Sequence, residues 1–598
     1  MAQVAFLDHL ASQEVPKAEM TLAELKEKEV FNLYLEQVLQ KAFAENYSGD
    51  DIADIKLVGF GSLASGFATP GSDMDMAVVP VWKDPANASK TGINRDIPRL
   101  LEKVVLDAKM GGRLLTRTRV PILKVCQSPT EELAKALLEE RQKWDDLPEE
   151  EQYPSAVAAA AVPSQPALNA DEFPTISASK KEAKKPQQNI DQKELEQIIK
   201  KVMSSTPPTP LPPTASGDAK PTTNGPSKEQ QQPHQKGKPF LREKILGPLD
   251  FPKDGVGIQC DINFDNPLGI HNTRLLRCYS LCDPRVRPIV LFVKAWAKRR
   301  KINSSYSGTL SSYGWVLMVL HYLVNIAQPP VCPNLQTSWR APANMDMHAL
   351  EAMFKETTIA GYNIRFFDNE AEIIEAAQSR RLTTNNQSVG ALLRGFFQYF
   401  ASAPQPFGYG APRSPTFYWT NEVLSLRTPN GIRAKAEKGW TGAKTTVGEN
   451  GKEVRHRYLF AIEDPFEYDH NVARTVTHFG IVAIRDEFRR AWRILSAVGR
   501  GVQPEGGIFD EIVEAPPPST PSKESNTAES STVDGVSDGK AKMKGETEAG
   551  AAQKKATGPA QHTKTANSLA VDGVNGDITA PHPQQTTAAT NITAAAAV

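Results

Sequence analysis

Cysteine is scarce in this chain of 598 residues: Cys126, Cys260, Cys278, Cys282 and Cys332 are the full set. They are odd in number and scattered, with no paired metal-ligand spacing, so reduced intracellular thiols are expected rather than a disulfide framework. Net charge is absent as well, because 69 basic residues balance 69 acidic ones. With 23% charged residues, the chain is bounded as a water-soluble protein of several parts without a global polyelectrolyte signature, and any nucleic-acid binding has to come from local patches. Long hydrophobic runs are missing too. The longest, YGWVLMVLHYLVNIA from Tyr313, has about 15 residues and includes His321, short of the roughly 20 that a membrane span requires. A buried core helix, and no membrane, is the expectation. The opening MAQVAFLDHLASQEV lacks the basic start and uninterrupted apolar core of a secretory signal, so no export is expected.

Two segments lack the apolar residues needed to offset the entropy of ordering. Residues 149–238, with PPTPLPPTAS and KEQQQPHQKGKP, read as a disordered insertion, and no aromatic residue occurs from about 515 to the end. The tail is set at 501–598. Inside the insertion, residues 190–203 (IDQKELEQIIKKVM) place Leu195, Ile198, Ile199 and Val202 on one helical face. That segment is either a frayed helix or a docking motif for a protein partner. KKEAKKP from Lys180 is a thin nuclear-import candidate.

What remains is rich in patterned elements. TLAELKEKEVFNLYLEQVLQKAFAE opens the folded part with helical spacing, and Thr21 with Glu24 suggests a capping box. IADIKLVGFGS, MDMAVVPVW, RVPILKV and GIQCDINF read as strands, and after Arg274 the pattern turns to long helices. The expected architecture is a small mixed α/β sheet unit followed by a helical domain. Its parts are 1–148 (N-terminal helices and the first part of the sheet domain), 239–273 (the rest of the sheet) and 274–500 (the helical domain).

The chemistry rests on carboxylates. Residues two apart on a strand share a face, so Asp73 and Asp75 project together while Met74 and Met76 point away. Like charges that close repel unless a cation lies between them. The D-x-D pair alone also reads as a strand-end turn with two solvated aspartates. In GIQCDINF the apolar Ile258, Cys260, Ile262 and Phe264 alternate with Gln259, Asp261 and Asn263, which puts Asp261 on a polar strand face. Three carboxylates on adjacent strands suit two Mg²⁺ or Mn²⁺ ions roughly 4 Å apart, the arrangement for in-line phosphoryl transfer. Upstream, Gly61 allows close backbone approach and Ser62 offers a hydroxyl to phosphate oxygens.

The order G-S, about ten residues, D-x-D and then a later single Asp resembles the DNA polymerase β-like nucleotidyltransferase superfamily. The longer stretches GFGSLASGFATPGSDMDMAVV, CDINFDNPLGIHNT, KAWAKRRKINSSYSGTLSSYGWVLMVLHYL, SVGALLRGFFQYFA and IEDPFEYDHNVARTV are similar to the terminal uridylyltransferases and cytoplasmic-type poly(A) RNA polymerases within it. That likeness implies a polymerase β-like domain followed by a helical central and PAP-associated domain. It also implies transfer of a nucleotide from an NTP, UTP favoured, to an RNA 3′ end, in a monomeric cytoplasmic enzyme.

The resemblance gives further residues their expected roles. Lys294 and Lys298, four apart on one helical face, would bind the triphosphate, although KRRK beside them reads equally as a solvated or RNA-contacting face. Ser312 would lie near the phosphates and Tyr313 on the base, although a tyrosine opening an apolar helix is more often core. Asn272 matches a ribose contact. Asp464 and Glu467 would orient His470 or the base edge. His470 offers uracil a donor, and its other tautomer suits cytosine, so it separates pyrimidine from purine more firmly than U from C. Adenylyl transfer, or use of CTP alongside UTP, is the nearest alternative, and an inactive RNA-binding scaffold is another. The insertion departs from the family pattern: Asp75 and Asp261 lie 186 positions apart (261 − 75), which long-loop closure entropy tolerates.

Overall fold

The computed structural model describes residues 1–84, 87, 93–116, 121–152, 242, 246–264, 266–402, 415–447 and 453–512. The candidate docking helix 190–203, the KKEAKKP segment and the chain beyond 512 lie outside them.

Period-two alternation becomes a five-stranded mixed sheet. Its strands are β1 (Ile52–Phe60), β2 (Met74–Trp82), β3 (Gly111–Leu115), β4 (Ile122–Cys126) and β5 (Gln259–Phe264), in the order β1-β2-β5-β4-β3. β2 and β5 run parallel and the other neighbours antiparallel. Met74, Met76, Leu123, Val125, Cys260 and Ile262 fill one face. They pack against Phe31, Leu35, Leu39 and Phe43 of α2 (Leu22–Asn46) and against Ile97, Leu101 and Val105 of α4 (Ile97–Asp107). Alternation sends Asp75, Lys124 and Asp261 to the opposite face. The link between β4 and β5 carries the long insertion, so it enters and leaves the sheet without breaking any strand pair.

Half of the expected capping box forms. Thr21 Oγ1 accepts the Glu24 N–H at 3.1 Å, but the Glu24 carboxylate reaches across the chain to the Gly71 N–H at 2.9 Å. The cap therefore also ties α2 to the turn that precedes β2.

Three boundaries differ from the sequence reading. The first helix, α1 (Ala2–Ala18), buries Leu7, Ala11, Val15 and Ala18 in the helical core rather than against the sheet, and Asp8 accepts from the Gly390 N–H at 2.5 Å. It precedes the sheet in sequence but belongs to the helical part in space, so 1–148 is not one packing unit. Between α2 and α4, the single-turn helix α3 (Gly61–Ala64) follows β1 directly. After α5 (Glu131–Asp145), one more turn, Glu149–Gln152, lies where the insertion was expected to start. Helical structure then resumes with α6 (Pro267–Cys282), which starts seven residues before Arg274 (274 − 267).

The helical core is aromatic. Trp296 of α7 (Val286–Arg299) meets Trp315 of α8 (Ser312–His321), Phe397 of α9 (Val389–Ala401) and Phe488 of α10 (His478–Gly499) at ring-centroid distances of 5.6, 5.0 and 5.1 Å. The apolar run from Tyr313 becomes the buried α8, as its composition required. No helix among the described residues is long and apolar enough to cross a membrane.

The tail boundary also moves. Ile508 and Phe509 are buried, and Phe509 meets Phe292 edge-on at 4.9 Å with the Arg299 guanidinium 5.4 Å from its ring. The main chain of Asp510 accepts from Arg300. Residues 501–512 are therefore structural: a chain ending at 512 should melt with the full-length protein, and Phe509→Ala should cost about 3 kcal/mol in thermal or urea denaturation.

Candidate active site

The parallel register of β2 and β5 sets Asp75 opposite Asp261, and the antiparallel register of β4 sets Lys124 opposite Asp261. Asp73 stands just before β2, more open to solvent than Asp75 but still flanked by the acidic centre. Burial pushes the Asp75 carboxyl up to about 7, reinforced by Asp261 and Asp73, while the Ser62 backbone N–H works against the shift. Asp73 moves the same way, through burial and Asp261, with Lys124, Lys28 and Lys298 opposing. The Lys124 ammonium lies 2.6 Å from Asp261 Oδ1. Burial lowers its pKa, but Asp261, Asp73 and Asp75 together outweigh that and raise it. This is an acidic centre with more negative charge than one lysine offsets. Among the described residues, no three His, Cys, Asp or Glu side chains form a ready-made metal cluster on their own.

Gly61 bounds the same centre. Its φ is +73° and a Cβ there would run into the Asp75 carboxylate, so only glycine lets β1 turn into α3 at this closeness. Its N–H donates to Thr273 Oγ1 at 2.8 Å, and that hydroxyl donates to the Gly269 carbonyl at 2.8 Å. The Gly61-Ser62 turn is thereby fastened to α6.

The two lysines of α7 part company. Lys298 is exposed, whereas Lys294 is buried and donates to the Phe67 carbonyl at 2.5 Å. Burial brings the Lys294 pKa down to about 8 despite the pull of Asp75, with Lys298 adding to the fall. Ser312 Oγ donates to Asn303 Oδ1 at 3.2 Å.

Asp464 joins the residues on the nucleoside side. Its carboxylate accepts from Tyr313 Oη at 2.9 Å, from Asn272 Nδ2 at 3.2 Å and from the Phe466 and Glu467 N–H groups at 3.0 Å each. Burial raises its pKa against all four bonds. The bond to Asp464 fixes the edge of the Tyr313 ring. Asn272 Oδ1 is buried with no partner among the described residues, and a buried acceptor of that kind calls for a donor from a ligand. The His470 N–H donates to the Glu467 carbonyl at 2.8 Å, and the Asp464 N–H donates to the His470 carbonyl at 3.2 Å. Asn272, Tyr313, Asp464, Glu467 and His470 thus share one bonded neighbourhood, although they span three separate parts of the chain.

Known proteins share several stretches of this chain. Residues 7–134 match the family model for the central palm domain of the mitochondrial-like poly(A) RNA polymerase, and 388–470 match that of the Cid1 family poly A polymerase. Terminal uridylyltransferase cid1 of Schizosaccharomyces pombe is 40% identical over 277 residues, 46% of this chain and 59% of the relative. Poly(A) RNA polymerase GLD2-B of Xenopus laevis is 32% identical over 256 residues, 42% and 40% of the two chains. A solved structure of Cid1, described in terms of its RNA terminal uridylyl transferase activity, superposes with a TM-score of 0.51 at 27% identity, covering 86% of this chain and all of that one. Over these segments the chain is similar to the Cid1-like terminal uridylyltransferases and poly(A) RNA polymerases. Its fold is the Cid1-like polymerase fold. The matched segments span 59% and 40% of the two curated relatives.

Within this candidate site, the sequence reading missed Lys124 and Thr273. RVPILKV does signal Lys124, since Leu123 and Val125 are buried and Lys124 must face the other way. Its partner, however, lies across a pairing that only the register reveals. Thr273 follows Asn272 on α6 and carries no motif of its own.

Proposed function

We propose that the protein is a template-independent RNA 3′-terminal nucleotidyltransferase that adds UMP, and to a lesser extent CMP, with release of pyrophosphate. The observation that supports this most is the facing pair Asp75 and Asp261 beside the Gly61-Ser62 turn. Facing carboxylates are a hard oxygen donor set suited to Mg²⁺ or Mn²⁺, and Asp73, Asp75 and Asp261 would hold two such ions. Bound there, the cations would supply charge stabilisation on the phosphoryl oxygens and a more acidic attacking hydroxyl.

The chain's own groups do the positioning. The Gly61-Ser62 turn, Ser312 and the ammonium groups of Lys294 and Lys298 hold the triphosphate for in-line attack. Asn272 Oδ1 takes a ribose hydroxyl, which favours RNA precursors over DNA ones. The Tyr313 ring lies under the base and His470 presents its edge to uracil. The RNA 3′ end approaches on the Asp261 side, where Lys124 steadies the carboxylate nearest the attacking oxygen.

Adenylyl transfer is the second reading, favoured by the similarity to GLD2-B. The reaction class itself is tested with purified protein, a short single-stranded RNA and each NTP in turn. Lengthening that requires a free 3′-hydroxyl and a divalent cation is expected. RNA binding with no lengthening by any NTP would favour a scaffold instead.

A further inference from the structure

The loop that carries Asp464, Glu467 and His470 is closed at its base and propped at its tip. At the base, Glu463 pairs with Asn471 in an antiparallel bridge. The Asn471 side chain accepts from the Ile462 N–H at 2.9 Å and donates to the Phe460 carbonyl at 2.9 Å. Buried Glu463 accepts from Ser425 Oγ at 2.5 Å, and Lys438 donates to both the Glu463 carboxylate and the Tyr468 carbonyl. Removing one partner of such a buried pair would unsettle the fold as well as the loop, so the base is a poor place to isolate function.

The tip, Tyr468-Asp469, is exposed, and a separate hairpin holds it. Strands Thr358–Ile359 and Tyr362–Asn363 pair across Ala360 and Gly361, whose φ values are +50° and +80°. Two left-handed residues form the turn that best matches strand twist, and an alanine holding that conformation is unusual. The hairpin is anchored below by Ile359, Tyr362 and Ile364 against the helical core. From it, Tyr362 Oη donates to Asp469 Oδ1 at 2.6 Å, and its ring meets Tyr468 edge-on at 5.3 Å. The Arg427 guanidinium lies 5.1 Å from the Tyr468 ring.

We propose that Tyr362 is a positioning residue for base selection: by holding Asp469 it sets where the adjacent His470 presents its imidazole. This rests on the reading of His470 as the base-selecting group. A hydrogen bond to a carboxylate is stronger than a neutral one, yet this one sits at the surface and lies outside the folding core. Its loss should therefore act on nucleotide recognition before stability.

The test measures kcat and KM for UTP and for ATP on a short RNA, together with melting temperature, for Tyr362→Phe, Asp469→Ala, Asp469→Asn and the double variant Tyr362→Phe/Asp469→Ala. Tyr362→Phe should raise the KM for UTP three- to tenfold and lower the UTP-to-ATP preference in proportion, with kcat within twofold and melting unchanged. Asp469→Asn, which keeps an acceptor, should lose less than Asp469→Ala. The double variant should be no worse than the poorer single one, as expected for two partners of one bond. His470→Asn runs alongside as a reference. If it shifts the preference while Tyr362→Phe leaves the UTP KM at the wild-type value, the positioning role is overturned and the His470 reading stands. If His470→Asn leaves the preference unchanged, both are overturned.

Discussion

Asp75→Asn should lower kcat/KM for nucleotide addition at least a thousandfold while leaving the melting temperature in the absence of divalent cations unchanged or raised. The two halves of that result have one cause. Asp75 faces Asp261 across the sheet and has Asp73 two residues away, and its carboxyl is pushed up by burial and by both neighbours. An asparagine removes that repulsion and keeps the shape, so the fold gains or stays level. The same change removes a ligand from the proposed cation site. A thousandfold loss corresponds to about 4 kcal/mol of transition-state stabilisation, within the several kcal/mol that metal-ion catalysis supplies. Adding Mg²⁺ or Mn²⁺ should then raise the melting temperature of the wild-type protein, because a ligand that binds the native state alone stabilises it. The variant should show a smaller rise. An active Asp75→Asn enzyme, or one that melts well below wild type, would contradict this assignment.

His470→Asn is expected to move the UTP-to-ATP preference by ten- to a hundredfold toward ATP, about 1.4–2.8 kcal/mol, with little change in overall turnover. His470 follows Asp469 on the loop closed by its own carbonyl and by Glu467. Asp464, at the start of that loop, bonds both Tyr313 and Asn272. In the proposed complex, the side chain at 470 faces the base that lies on Tyr313. The shorter asparagine loses the hydrogen bond reaching uracil and opens room for a purine. Kinetic constants for the two nucleotides on one RNA measure the shift, and an unchanged ratio would remove His470 from base choice.

Much of this site was legible from the residues. Asp73, Asp75 and Asp261 stand out because period-two alternation fixes which face a strand residue occupies, whatever its partner. The buried α8 was readable from the length and composition of its apolar run. What local pattern cannot carry is pairing at a distance. β3 went unread because GGRLL has no alternation and opens on two glycines. Lys124 could be assigned a face but not a partner. The placement of α1 was hidden because its contacts, such as Asp8 to Gly390, join residues hundreds of positions apart. Asp464 was placed in the right loop, but its work of bonding Tyr313 and Asn272 together depends on three segments meeting. Tyr362 lies in a stretch without any motif, and only the hairpin turn at Ala360-Gly361 aims it at Asp469.

The most direct measurement is a competition in which the purified protein extends one short single-stranded RNA in an equimolar mixture of UTP and ATP with Mg²⁺, and the added tails are sequenced. The account predicts tails made predominantly of uridine. Tails made predominantly of adenosine would contradict it.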